Sequence, residues 1–203
     1  MYDGLLIVLS GPSGAGKGTI HDKLLKILPN IKKSISVTTR KKRINEIEGV
    51  HYYFKTEEEY SQMIADGEFL ETASVYCHNY GTPKAPVFEM LKNGNDVIFE
   101  IDNFGSRQIK KKYPDALTIY IMPPSFKELE SRLIARGTES ADSLATRLGN
   151  AKRELSEYND FDYIVFNDDA DVAAEKVVAI IRAEKCRMNR NEHIIKGMLK
   201  NKK

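Results

Sequence analysis

The sequence predicts an α/β fold around a parallel sheet, on three observations. Apolar strand signals alternate with helical patterns along most of the 203 residues. The first strand, Leu5-Leu6-Ile7-Val8-Leu9, runs straight into the glycine loop Gly11-Pro12-Ser13-Gly14-Ala15-Gly16-Lys17-Gly18-Thr19, and a helical segment, Ile20 to Leu28, follows. A second buried strand, Val97 to Asp102, delivers carboxylates at its carboxyl end, the edge where open parallel sheets bind ligands. Strand–helix alternation implies right-handed crossovers between parallel strands. The loop after the first strand marks the whole as a P-loop three-layer fold.

The loop carries the most specific chemistry. Gly11, Gly16 and Lys17 satisfy G-x-x-x-x-G-K. Its glycines let backbone N–H groups converge on an anion, and the following helix aims its positive end at the same place. Lys17 adds a mobile charge for the outer phosphates. The residue after that lysine usually bears a hydroxyl for magnesium. Here it is Gly18, and a hydroxyl arrives one place later, which makes Thr19 the candidate metal ligand. The plain alternative is a glycine-rich turn with a surface lysine. The strand–loop–helix order weighs against it.

The remaining elements follow in chain order. Ile20, Leu24, Leu25 and Leu28 share one helical face, and Pro29 stops that helix. Ser34 to Thr39 reads as a β-branched strand, followed by Arg40-Lys41-Lys42-Arg43. That run is a solvated charge cluster or, through its two arginine forks, a phosphate site. His51 to Phe54 is short-strand material, and Thr56-Glu57-Glu58-Glu59 is a capping box closed later by Gly67. Thr82-Pro83 reads as an N-cap with proline at the first helical position. Residues 34–82 thus form a strand-rich insertion between two α/β units. Leu117 to Met122 is a strand ended by Pro123-Pro124, and Ser125 to Glu128 is a second capping box. A helix over about Ser140 to Tyr158, a strand over Asp162 to Phe166, and a long final helix capped by Asn167-Asp168-Asp169 complete the chain.

Composition excludes several classes. Apolar content of 41% and charged content of 30% suit a soluble globular chain. No apolar run approaches a membrane span, and the N-terminus lacks the basic region of a signal peptide. Two cysteines, Cys77 and Cys186, make no disulfide framework or metal cluster, so a reducing cytoplasm is expected. The net charge of +2 is uneven: from Arg182 to Lys203, 8 Lys/Arg stand against 2 Glu. A solvated helix with a lysine-rich end is the plain reading of that tail; weak, non-specific contact with nucleic acid is the other.

Eight pieces in order resemble the guanylate kinases, P-loop nucleoside monophosphate kinases that move phosphate from ATP to GMP. They are GPSGAGKGT at 11–19, SVTTRKKR at 36–43, EGVHYYF at 48–54, EFLE at 68–71, NYGT at 79–82, EIDNFG at 100–105, RLIARGTES at 132–140 and IVFNDD at 164–169. The resemblance covers essentially the whole chain. It implies a P-loop core (1–33, 92–125 and 156–203), an inserted mixed α+β GMP-binding lobe (34–91) and a helical lid (126–155). It implies ATP-dependent phosphorylation of GMP and dGMP, magnesium as MgATP, and small-molecule substrates without specific nucleic acid or membrane. It leaves a monomer or a homodimer open.

The resemblance also assigns roles. Residues 11–19 and Asn167 bind ATP. Arg40, Arg43, Tyr52 and Tyr80 hold the GMP phosphate; Ser36, Glu71 and Thr82 hold the guanine edge. Asp102 orients base or magnesium water. Lys17, Arg40 and the lid arginines Arg136 and Arg147 are the catalytic set. A carboxylate at 71 can accept from guanine N1–H and the 2-amino group together, which adenine cannot offer. The plain alternatives are core tyrosines at 52 and 80, a surface acid at 71, a helix cap at 102 and an exposed ion-pair partner at 147. The chain departs from the family pattern at Lys42, Asn45, Asn79, Glu100 and Asn103-Phe104, and mildly at Thr82. A non-catalytic binding module with the same GMP lobe, or a kinase for another small phosphate, are the rivals.

Overall fold

The computed structural model describes residues 4–75, 77–135 and 141–200. Two sheets organise the chain. The first is all parallel, in the order β2 (Ile31–Lys33), β7 (Asp96–Glu100), β1 (Leu6–Ser10), β8 (Leu117–Met122), β9 (Tyr163–Phe166). The second is mixed, in the order β4 (Tyr53–Phe54), β3 (Val37–Thr38), β6 (His78–Pro83), β5 (Phe69–Val75).

β1 reads as a continuous apolar run because both faces of its sheet are covered. Ile7 and Leu9 pack with Ile20 and Leu24 of α1 (Lys17–Ile27) and with Val177 and Ile181 of α7 (Ala170–Lys185). Leu6 and Val8 point the other way, into Val87 and Leu91 of α3 (Lys84–Lys92) and Ile109 of α4 (Asn103–Lys112). That alternation makes three layers and leaves the carboxyl ends of β1 and β7 side by side, with Leu9 opposite Glu100.

Several local expectations are corrected. The strand expected over Ser34–Thr39 is only β3, Val37–Thr38, and the β2 strand just before it belongs to the other sheet. β2 pairs β7, Ser34 N–H still reaches Ile98 O at 3.0 Å, and the chain then crosses to become β3. β-branching signals a strand and is silent about which sheet takes it. Thr82 is not a helix cap: β6 runs to Pro83, which is itself the N-cap of α3. The strand expected over Val97–Asp102 ends at Glu100, and Asp102 caps α4 by accepting from Gly105 N–H at 2.7 Å. Thr56 and Glu59 form the expected reciprocal capping box of α2 (Glu57–Ala65). At α5 (Phe126–Ala135) only half of one forms: Ser125 Oγ accepts from Glu128 N–H, while the Glu128 carboxylate turns to Arg132.

The helix expected over Ser140–Tyr158 is α6, Ala141–Leu155. The long final helix is two, α7 and α8 (Met188–Lys200). The break lets Arg190 fold back onto buried Glu184, 3.2 Å away, and onto the Asp115 carbonyl at 2.7 Å. Glu184 also accepts from the Tyr163 hydroxyl at 2.8 Å. α8 has no buried residue, and beyond Arg190 its basic side chains, Lys196 and Lys200, are exposed.

Candidate active site

The glycine loop closes on itself where the sequence places it. Gly16 has a φ of 89°, and a Cβ there would lie 2.2 Å from Asn167 Nδ2, so only glycine fits. Gly16 is the N-cap of α1, with no side-chain cap and no acid in the first turn. No side-chain cap and no acid of its own first turn competes with an anion at the start of α1. Lys17 Nζ donates to Gly11 O at 2.6 Å and Pro12 O at 3.2 Å, which folds its ammonium across the loop. Ser13 N–H donates to Glu154 Oε2 of α6 at 3.1 Å. A carboxylate thus sits on one of the loop's anion-binding groups.

A cleft of about 320 Å³ opens beside the loop, between Lys17 and Gly18 on one wall and Glu100, Asp102 and Asn103 on the other. The two acids come from the end of β7 and the turn into α4. A Cβ on Gly18 would lie 3.6 and 3.7 Å from the two Glu100 carboxylate oxygens. Thr19 is exposed and does not line this cleft. Asn103, one of the departures, is wired inward: its Nδ2 donates to Glu157 at 2.8 Å and its Oδ1 lies 2.8 Å from the Ser10 hydroxyl. Its neighbour Phe104 is 60% exposed.

The second half of the site lies on the mixed sheet. β5–β6 pairing sets Glu71 opposite Thr82, and the Thr82 hydroxyl donates to Glu71 Oε1 at 2.6 Å. Glu71 is 3% exposed, so the surface-acid alternative fails. Burial first, and the Asp102 charge after it, push its carboxyl up to about 7 against the pull of the Thr82 hydrogen bond. Ser36 precedes Val37, whose partner on β6 is Gly81, so register carries it beside Thr82. Gly105 touches both acids: a Cβ there would lie 2.7 Å from Glu71 Oε2 and 3.3 Å from Asp102 Oδ1. Asp102 therefore caps α4, lines the loop's cleft and adjoins the Glu71–Thr82 pair at once.

Arg40 lies over the Tyr52 ring, 5.5 Å from its centroid, and the Tyr52 and Tyr80 rings are 5.9 Å apart. Both tyrosines are half-buried, and burial first raises the Tyr52 phenol above its ordinary pKa, keeping it a donor. Arg43 is exposed on the loop beyond. Its backbone N–H and the Arg40 guanidinium share one carboxylate, Glu46, at 2.8 and 2.6 Å. That clamp, the Arg40 bond first, holds Glu46 down to about 2. Asn79 stands where the family has tyrosine. It accepts from the Ser74 hydroxyl at 2.7 Å and donates to Glu57 at 2.8 Å, pinning the β5–β6 hairpin to α2.

Asn167 is buried against the loop and donates to Ala15 O at 2.7 Å. Arg136 and the Arg147 side chain lie outside the described residues. Three site residues escaped the sequence reading. Arg132 donates from Nη2 to Asn167 O at 3.1 Å, and its Nη1 lies 4.0 Å from where a Gly16 Cβ would be. Glu46 orients Arg40, and Glu154 occupies the Ser13 N–H. Arg132 was findable, since it opens the R-L-I-A-R-G piece. Glu46 and Glu154 look in sequence like ordinary loop and helix acids.

Comparison with known proteins identifies a family. The guanylate kinase family model matches residues 4–184. A guanylate kinase of Caldanaerobacter subterraneus subsp. tengcongensis is 50% identical over 191 residues, covering 94% of this chain and 93% of the relative. One from Clostridioides difficile is 46% identical over 192 residues, covering 95% and 94%. The crystal structure of guanylate kinase from Anaplasma phagocytophilum superposes with a TM-score of 0.76 at 34% identity, covering 92% of this chain and 89% of that one. The chain belongs to the guanylate kinase family.

Proposed function

We infer that the chain transfers the γ-phosphoryl group of ATP to GMP, and to dGMP, giving ADP and the nucleoside diphosphate. What carries the reading is the meeting point at the start of α4, where Asp102 adjoins both the phosphate loop's cleft and the buried Glu71–Thr82 pair. A donor phosphate and a guanine base then have adjacent seats in one molecule. The chain divides accordingly into the P-loop core, the GMP-binding lobe and the lid with the boundaries given above.

Each group has a task in an in-line transfer through a loose, highly charged transition state. Loop N–H groups and Lys17 hold the β/γ region of ATP. Arg40, Arg43, Tyr52 and Tyr80 hold the acceptor phosphate, with Glu46 setting the Arg40 fork until that phosphate replaces it. Ionised Glu71 accepts from guanine N1–H and the 2-amino group, and Thr82 and Ser36 supply the remaining polar edge. Arg132 joins Arg136 and Arg147 as cations brought to the donor by the lid. Asn167 braces the loop and borders the adenine side. Closure expels water, which would otherwise take the phosphoryl group.

Magnesium enters with ATP. Glu100 and Asp102 facing the loop, with open space at Gly18, make a donor set of the kind Mg²⁺ accepts together with phosphates and water. A magnesium ion held there by Glu100 and Asp102 would supply charge neutralisation for the phosphates. Two exposed, unpaired cysteines, Cys77 and Cys186, favour a reducing cytoplasm. The test is ADP release from MgATP on addition of GMP: ADP and GDP should form one for one. Tight GMP binding without GDP formation would make the chain a binding module instead.

Gly105→Ala probes the meeting point. The new methyl would lie 2.7 Å from Glu71 Oε2, so that carboxylate must shift. Alanine is favoured over glycine within a helix, so the variant should fold. KM for GMP is expected to rise about 10- to 100-fold, with ATP affinity unchanged. Unaltered KM would mean that Glu71 does not hold the base.

A further inference from the structure

Ser13 belongs to the loop whose backbone N–H groups suit phosphate, yet its own N–H already meets an anion. Glu154 Oε2 accepts from it at 3.1 Å. Glu154 stands in the last turn of α6 and lines the same cleft as Gly16, Lys17 and Gly18. Its main chain is anchored from the core: the hydroxyl of Tyr120, a fully buried residue of β8, donates to Glu154 O at 2.5 Å. Three residues on, Glu157 accepts from Asn103 Nδ2 at 2.8 Å and pairs with Arg107 at 3.2 Å. These ties hold the Glu154 carboxylate at the loop without engaging the carboxylate itself. An acid delivered on a fixed backbone to a phosphate-binding amide is a competitor for phosphate. Two anions cannot both take one N–H, and each repels the other.

We propose that Glu154 is a displaceable internal anion that weakens the loop's hold on nucleotide phosphates and so speeds release of the product ADP. This rests on the phosphotransfer reading above. An entering phosphate drives the Glu154 carboxylate off Ser13 N–H; as ADP departs, the carboxylate takes the amide back. The penalty falls alike on every ligand that places phosphate in the loop. It therefore lowers ground-state binding without touching the chemical step. Where product release limits turnover, such uniform weakening is an advantage.

The rival for this contact is a brace that shapes the loop, and the two roles differ in sign. Removing a brace weakens nucleotide binding; removing a competitor tightens it. Glu154→Gln keeps the size of the side chain, and its amide oxygen can still accept from Ser13 N–H, but the charge is gone. ADP should then bind about tenfold tighter, and so should inorganic tripolyphosphate, a probe without base or ribose. Most of the gain should appear as slower ADP dissociation. Glu157→Gln is the control. It takes the same charge from the same end of the lid without touching the loop amide, and should tighten ADP by about twofold at most. Calorimetry reads the affinities, and stopped-flow release of a fluorescent ADP reads the rate. Weaker or unchanged ADP binding in Glu154→Gln, or equal tightening in Glu157→Gln, would overturn the role given to Glu154. Failure of the unaltered protein to bind ADP at all would instead overturn the phosphotransfer reading.

Discussion

Lys17→Ala is expected to lower kcat by about 10²- to 10³-fold, the usual loss when one preorganised charge is withdrawn from a transition state. The side chain's visible work is local. It lies across the loop on the Gly11 and Pro12 carbonyls, 2.6 and 3.2 Å away. In the proposed transfer that ammonium would follow charge as it moves from the γ-phosphoryl group to the departing ADP. Folding should survive, since Lys17 is only partly buried and α1 is anchored by buried Ile20 and Leu24. GMP affinity should also survive, because the Glu71–Thr82 pair lies on the far side of Asp102. Steady-state kinetics with calorimetric GMP binding checks both. A kcat near that of the unaltered protein would remove Lys17 from the chemical step.

Glu71→Gln is expected to cost about 10²- to 10³-fold in kcat/KM for GMP. That is two hydrogen bonds to a charged acceptor at about 1.5–3 kcal/mol each, partly replaced by the amide oxygen. Its pH behaviour is more telling than its size. Burial pushes the Glu71 carboxyl up to about 7, and only an ionised carboxylate could accept from both guanine donors. KM for GMP should fall as pH rises from 6 to 8, and the slope should vanish in Glu71→Gln. Stability of the empty protein should move the opposite way. A carboxyl whose folded pKa lies above its unfolded value binds more protons folded than unfolded, so stability is lost as pH climbs from about 4.5 to about 7. The size is on the order of 3 kcal/mol at most, readable as a urea midpoint that drops more in the unaltered protein than in Glu71→Gln. A pH-independent KM would show that Glu71 is not the base acceptor.

Legibility in the sequence followed the range of each interaction. The phosphate loop is local: strand, glycines, lysine and helix are contiguous, so residues 11–19 could be placed from spacing alone. The parallel core was equally legible, since β1, β7 and β8 are apolar runs of the right length. The crossing between sheets at Ser34 and the end of β6 at Pro83 were not. Both depend on which partner strand wins, and Thr82-Pro83 looks like a helix start until Glu71 claims the Thr82 hydroxyl across 11 residues. The break before α8 likewise rests on Arg190 reaching Asp115, 75 residues away. The base and phosphate residues needed the family resemblance, because single tyrosines and glutamates carry no spacing signal. Glu46 and Glu154 were missed for the same reason: what distinguishes them is a guanidinium and a loop N–H, neither visible in their own neighbourhood.

The most direct measurement is coupled ADP release with MgATP against GMP, dGMP, AMP, CMP and UMP. Turnover confined to GMP and dGMP is the expected result, because in the proposed site a phosphate loop beside a buried carboxylate–hydroxyl pair would select both the reaction and the base. Comparable turnover with AMP, or none with GMP despite its binding, would contradict it.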